Sequence, residues 1–75
     1  MFMVRRFTVI LQAEAEGGFS VFAPALPGCA SQGETEAEAL TNIKEAITLY
    51  LEGLEADRQP IPSSDVMLRE VEVAA

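Results

Sequence analysis

The chain has 75 residues and a formal net charge of −7, from five Lys and Arg against twelve Asp and Glu, with no His and a single Cys. These counts exclude an intramolecular disulfide, the Ser-His-Asp and Cys-His catalytic sets, and a structural zinc site. They fit one domain, 1–75, with a core so small that oligomerisation is the expected support.

The acidic balance argues against direct nucleic-acid binding, where Lys and Arg must neutralise phosphates. It suits a basic protein partner through electrostatic steering, and it also keeps a small protein soluble. Met1 to Arg6 carries two arginines, and Phe7 to Leu11 is a mostly apolar run of five residues before Ala13-Glu14-Ala15. A signal peptide needs an apolar region of about 7 to 15 residues, so this run reads as a strand. No stretch approaches the length of a membrane span. A cytoplasmic protein with no membrane partner is expected.

Residues 4 to 12 alternate as a first strand, with Phe7, Val9 and Leu11 on one face and Arg6, Thr8 and Ile10 on the other. The polar, Gly-rich Glu14-Ala15-Glu16-Gly17-Gly18 predicts a hairpin connection. Residues 19 to 23 form the second strand: Phe19, Val21 and Ala23 share a face, Ser20 and Phe22 the other, and Pro24 ends it. One sheet face can be covered by a helix. The other carries Ile10 and Phe22, and these two are the candidate self-association residues, predicting a dimer or higher oligomer.

Pro27-Gly28 is a strong turn signal, because Pro presets φ and Gly supplies positive φ. A short edge strand over 29 to 33 leaves that turn, and Gly33 breaks it. Thr35-Glu36-Ala37-Glu38 then reads as a capping box. The Thr35 hydroxyl would accept from the Glu38 amide, and the Glu38 carboxylate would reach back to the Thr35 amide. The helix is expected from about Glu36 to Ala56, with Leu40, Ile43, Ile47, Tyr50, Leu51 and Leu54 forming its apolar stripe. Glu52, Glu55 and Asp57 place negative charge at its C-terminal end, where the macrodipole opposes it. With no evident cap there, fraying is expected. Gln59 to Ser64 is an extended connector, and Val66 to Val73 is a fourth strand with a bulge near Arg69 or Glu70.

The order β-β-β-α-β predicts an α+β two-layer sandwich, one helix packed across a small mixed sheet with the last strand parallel to the first. Ala23-Pro24-Ala25-Leu26-Pro27-Gly28-Cys29, Gln32-Gly33-Glu34-Thr35 and Glu38-Ala39-Leu40 together resemble the signature of HicB-like proteins. The resemblance covers residues 4 to 55 well and the remainder loosely. Its structural motif residues are Leu26, Pro27, Gly28, Cys29, Gly33, Thr35 and Glu38. It implies a partial RNase H-like sheet of order 3-2-1-4. It also implies the role of a toxin-neutralising antitoxin domain, with a small basic HicA-type mRNA-cleaving toxin as partner. Full antitoxins of this family usually carry a further DNA-binding domain, which is not expected in a chain closing at Ala75.

The residues offer no catalytic set, metal site or cofactor-binding loop. Cys29 has no Lys, Arg or His within ten residues on either side, so a structural thiol is expected. Residues 1 to 13 contain no carboxylate for two-metal nuclease chemistry, and capping explains Glu34, Glu36 and Glu38. The glycines form neither a P-loop nor a dinucleotide fingerprint. Arg5-Arg6 is too small a basic patch for nucleic acid. The expected function is non-catalytic binding of a basic toxin. The alternative is a solitary homo-oligomeric structural or ligand-binding domain.

Overall fold

A computed structural model describes residues 4–63 and 65–75. Its elements are β1 (Ile10–Ala13), β2 (Phe19–Phe22), β3 (Ala30–Gly33) and α1 (Glu36–Ala56). The three strands form one sheet in the order β1-β2-β3, antiparallel throughout. The helix packs mainly over β3 and β2, leaving β1 at the open edge. This is the expected α+β arrangement of one helix on a small sheet.

Two strand expectations are corrected. The first strand begins at Ile10, not at residue 4. Ile10 pairs with Phe22, the last residue of β2. Beyond it the Ala23 amide donates to the Cys29 carbonyl at 3.0 Å, and Pro24 has no N–H to offer. Residues 4 to 9 therefore run past the end of their neighbour, although Phe7 and Val9 still pack on the core. The fourth strand does not form: no strand occurs among the described residues after α1, so the sheet is three-stranded and contains no parallel pair. Residues 67–75 are all exposed, and Ser64 of the connector lies outside the described residues.

The core is Val21, Ala23, Leu26, Cys29, Ala39 and Ile43. Phe7, Val9, Leu11, Phe19, Ile47 and Leu51 pack around it, half-buried. The expected strand face therefore meets the expected helix stripe. The helix is turned slightly from that expectation, however. Ala39 is completely buried, whereas Leu40 keeps 36% of its surface exposed. The cause is Gly33. A β-carbon there would sit 2.8 Å from the Glu38 carbonyl carbon and 2.9 Å from the Ala39 Cα, closer than nonbonded atoms approach. Gly33 ends β3 without a side chain so that the first turn of α1 can lie directly on the strand, and the small Ala39 faces it.

Both helix ends are satisfied. At the start, the Glu38 amide donates to Thr35 Oγ1 at 3.1 Å, as expected. The Glu38 carboxylate reaches one residue further back than expected, accepting from the Glu34 amide at 3.0 Å. At the other end the Gln59 amide donates to the Leu54 carbonyl at 2.8 Å and the Arg58 amide to Glu55 at 3.1 Å. Arg58 has φ of 56°. This pair of bonds around a left-handed residue is a Schellman motif, which satisfies the carbonyls expected to fray.

Candidate functional site

The motif Leu26-Pro27-Gly28-Cys29 builds the joint between sheet and helix. The Cys29 amide donates to the Leu26 carbonyl at 2.9 Å, closing a β-turn. Pro27 cannot adopt positive φ and Gly28 does, at 82°, which makes the turn type II. Leu26 is then driven into the core with no exposed surface, and Cys29 is buried beside it. Pro27, Gly28, Thr35 and Glu38 are exposed. The structure thus divides the seven motif residues between a buried anchor, a turn, a cap and, at Gly33, the close contact of strand and helix.

Burial pushes the Cys29 thiol up from its ordinary value by desolvating the thiolate. A thiol held neutral is a poor nucleophile. Among the described residues, no group of three or more His, Cys, Asp or Glu converges on a point where a metal could sit.

Ile10 and Phe22, singled out in the sequence, are direct cross-strand partners. Their neighbours Leu11 and Val21 pack into the core, so Ile10 and Phe22 stand together on the opposite face. Phe22 is 43% exposed.

Two charged regions were not legible as regions in the sequence. At one end the β1–β2 loop comes against the start of α1: a β-carbon on Gly18 would lie 3.1 Å from the Gly33 carbonyl oxygen. The loop carries Glu14 and Glu16, and the helix start carries Glu34, Glu36 and Glu38. A small polar notch of about 300 Å³ lies between them, lined in part by Glu34, Glu38 and Asn42. The Asn42 side-chain amide donates to the Gln32 carbonyl at 2.7 Å and ties the helix to β3. Sequence reasoning overlooked Asn42, which sits one position before the buried Ile43.

The second region is a groove of about 1140 Å³ between the segment leading into β1, the flank of α1 and the chain after the helix. Phe7, Val9, Leu40, Ile47 and Leu51 form its apolar floor. Arg5, Arg6, Lys44 and Arg58 line it, four of the five basic residues in the chain. The sequence separates these four by up to 53 positions, so only the fold reveals them as a group.

The geometry defines a small α+β domain whose distinctive surfaces are an acidic end and an apolar groove rimmed with basic side chains. Residues 7–73 match the HicB-like antitoxin of bacterial toxin–antitoxin systems, and the chain belongs to that family. It is 44% identical over 70 residues to a UPF0150 protein of Synechocystis, covering 93% of this chain and 89% of the relative. A UPF0150 protein of Thermoplasma acidophilum is 49% identical over 57 residues, covering 76% of this chain and 83% of the relative. A third, from Helicobacter pylori, is 62% identical over 42 residues, covering 56% and 58%. No helix among the described residues is long and apolar enough to cross a membrane.

Proposed function

We infer that this chain is a non-catalytic binding protein that neutralises a small basic ribonuclease toxin of the HicA type by covering it. Membership of the HicB-like antitoxin family carries the reading. The net charge of −7 supports it, because an acidic protein is steered towards a basic partner. The surface proposed to meet the toxin is the acidic end, with Glu14, Glu16, Glu34, Glu36 and Glu38. No basic residue lies in these segments, so their own side chains carry charge of one sign. The protein works in the cytoplasm and does not itself bind nucleic acid. The three strands and helix serve as the partial RNase H-like frame of the domain.

Co-expression with a small basic HicA-type ribonuclease toxin tests the reading. Relief of growth arrest, a stable complex, and loss of RNA cleavage in vitro are expected. Glu34→Lys with Glu36→Lys should weaken the complex at least tenfold while the fold persists. Unrelieved toxicity, with no complex at micromolar concentration, would refute the inference.

A second reading is a solitary homo-oligomeric domain of structural or ligand-binding role. The Ile10–Phe22 pair on the outer sheet face favours it. It predicts self-association that Phe22→Asp abolishes, with no effect of any basic partner.

A further inference from the structure

The arm that follows the helix leaves most of its apolar residues exposed. Met67 is 73% exposed, Val71 85% and Val73 80%. The side-chain bonds of Arg69 go no further than Leu68 and Met67. The radius of gyration is 14.4 Å, where a compact chain of this length has about 11 Å. The difference is the signature of a segment held away from the body.

The groove is the complement of that arm. Its floor is apolar and its rim carries Arg5, Arg6, Lys44 and Arg58, with Glu55 as the acidic exception. The arm alternates around Val66, Leu68, Val71 and Val73 and brings three acidic residues, Asp65, Glu70 and Glu72, against one basic residue, Arg69. Acidic charge thus accompanies the apolar residues that would enter a basic-rimmed apolar channel. The groove is flanked by the segment leading into β1, at Arg5, Arg6, Phe7 and Val9, and the outer side of β1 pairs with no strand of the described residues. An extended segment laid there gains main-chain hydrogen bonds as well as side-chain burial.

Arg58 adds an independent observation. It occupies the left-handed position that closes the helix, where Gly is the usual residue. A bulky residue in this region costs roughly 1 kcal/mol or more, and backbone strain of this kind clusters where function requires a particular side chain. Here the strained residue is itself part of the groove lining.

We propose that the groove receives the arm, residues 65–73, of a second copy of this chain, and that two copies exchange arms about a two-fold axis. Each arm adds a strand to the β1 edge of its partner and sets Glu70 and Glu72 against the basic rim. Exchange of an identical element is a low-cost route to a dimer, and the contact is self-complementary. The surface is distinct from both the acidic end and the Ile10–Phe22 face. It therefore does not depend on the antitoxin reading.

A charge-swap experiment on the full chain tests this. Variant A carries Arg5→Glu and Arg6→Glu; variant B carries Glu70→Lys and Glu72→Lys. All four positions are exposed, so both variants should fold, as circular dichroism will show. By light scattering at about 100 μM, well above a micromolar dissociation constant, A alone and B alone should show half the wild-type mass. In A the acidic arm meets an acidic rim, and in B both are basic. An equimolar mixture should recover the wild-type mass, because each arm then meets a rim of opposite charge. A monomeric wild type would overturn the proposal. So would folded variants of unchanged mass, or a mixture that fails to recover. A fall in melting temperature at unchanged mass would place each arm in its own groove and also overturn the exchange.

Discussion

The segment from Ala23 to Ala39 and the segment from Arg58 to Val73 make opposite use of their apolar residues. The first completes itself. Its turn is closed by hydrogen bonds at Leu26 and Cys29, its helix cap by Thr35 and Glu38, and its apolar side chains are the core. The second forms no strand or helix among its described residues, and Met67, Leu68, Val71 and Val73 remain exposed. Local bonds and short loops let a segment finish within one chain. An exposed apolar segment that pairs with no strand is a surface another molecule can cover. The protein thus divides into a body that closes on itself and an arm whose apolar residues stand exposed.

Substitutions separate the two regions by the size and kind of their effects. Leu26→Ala removes the most completely buried large side chain of the joint. It should cost about 2–5 kcal/mol, comparable to the whole stability of a domain this small. Urea denaturation at low concentration measures it, and Val71→Ala in the same assay should leave the dilute protein unchanged.

Gly33→Ala should cost about 1–3 kcal/mol by forcing strand and helix apart. A lowered melting temperature checks this, and an unchanged one would mean that the first helical turn yields without loss. Thr35→Ala removes the hydroxyl that receives the Glu38 amide. A loss of about 0.5–2 kcal/mol is expected in the denaturant midpoint.

Arg58→Gly works in the opposite direction. Relief of the left-handed strain should raise the stability of the dilute protein by about 1 kcal/mol, while loss of the guanidinium weakens self-association. A variant stabilised in both respects would detach Arg58 from the groove argument.

The smallest effect concerns pH. Burial raises the Cys29 pKa in the folded state above its unfolded value. Its contribution is therefore fully present below the unfolded thiol pKa, about 8.5, and is lost as pH rises through the folded pKa. Cys29→Ala should flatten the alkaline fall in stability, and a thiol reagent should label wild-type Cys29 only slowly before denaturation.

The local grammar of the chain was legible in the sequence. Pro27-Gly28, Thr35 with Glu38, and the spacing from Ile43 to Leu51 each signal their structure through neighbours within a few residues. The strands Phe19–Phe22 and Ala30–Gly33 follow from the same short-range signals. What escaped depends on distance. The close approach at Gly33 is set by Ala39 across a layer boundary, and a glycine near a turn reads as a strand breaker until the helix is seen against it. The Schellman motif escaped because its left-handed residue is Arg58 rather than Gly. The groove escaped because Arg5, Arg6, Lys44 and Arg58 meet only through the fold. The alternation of residues 66 to 73 reads as a strand, but a sequence does not state which chain supplies the neighbour. Within one chain that neighbour is missing among the described residues.

Hydrogen exchange on the wild-type chain, across a dilution series from about 100 μM to below 1 μM, tests the division between body and arm most directly. The account predicts that amides of β2, β3 and α1 keep substantial protection at every concentration. Those of residues 66 to 73 should gain protection together, and only as the concentration rises. Arm amides that exchange freely at the highest concentration, or that are equally protected at the lowest, would contradict it.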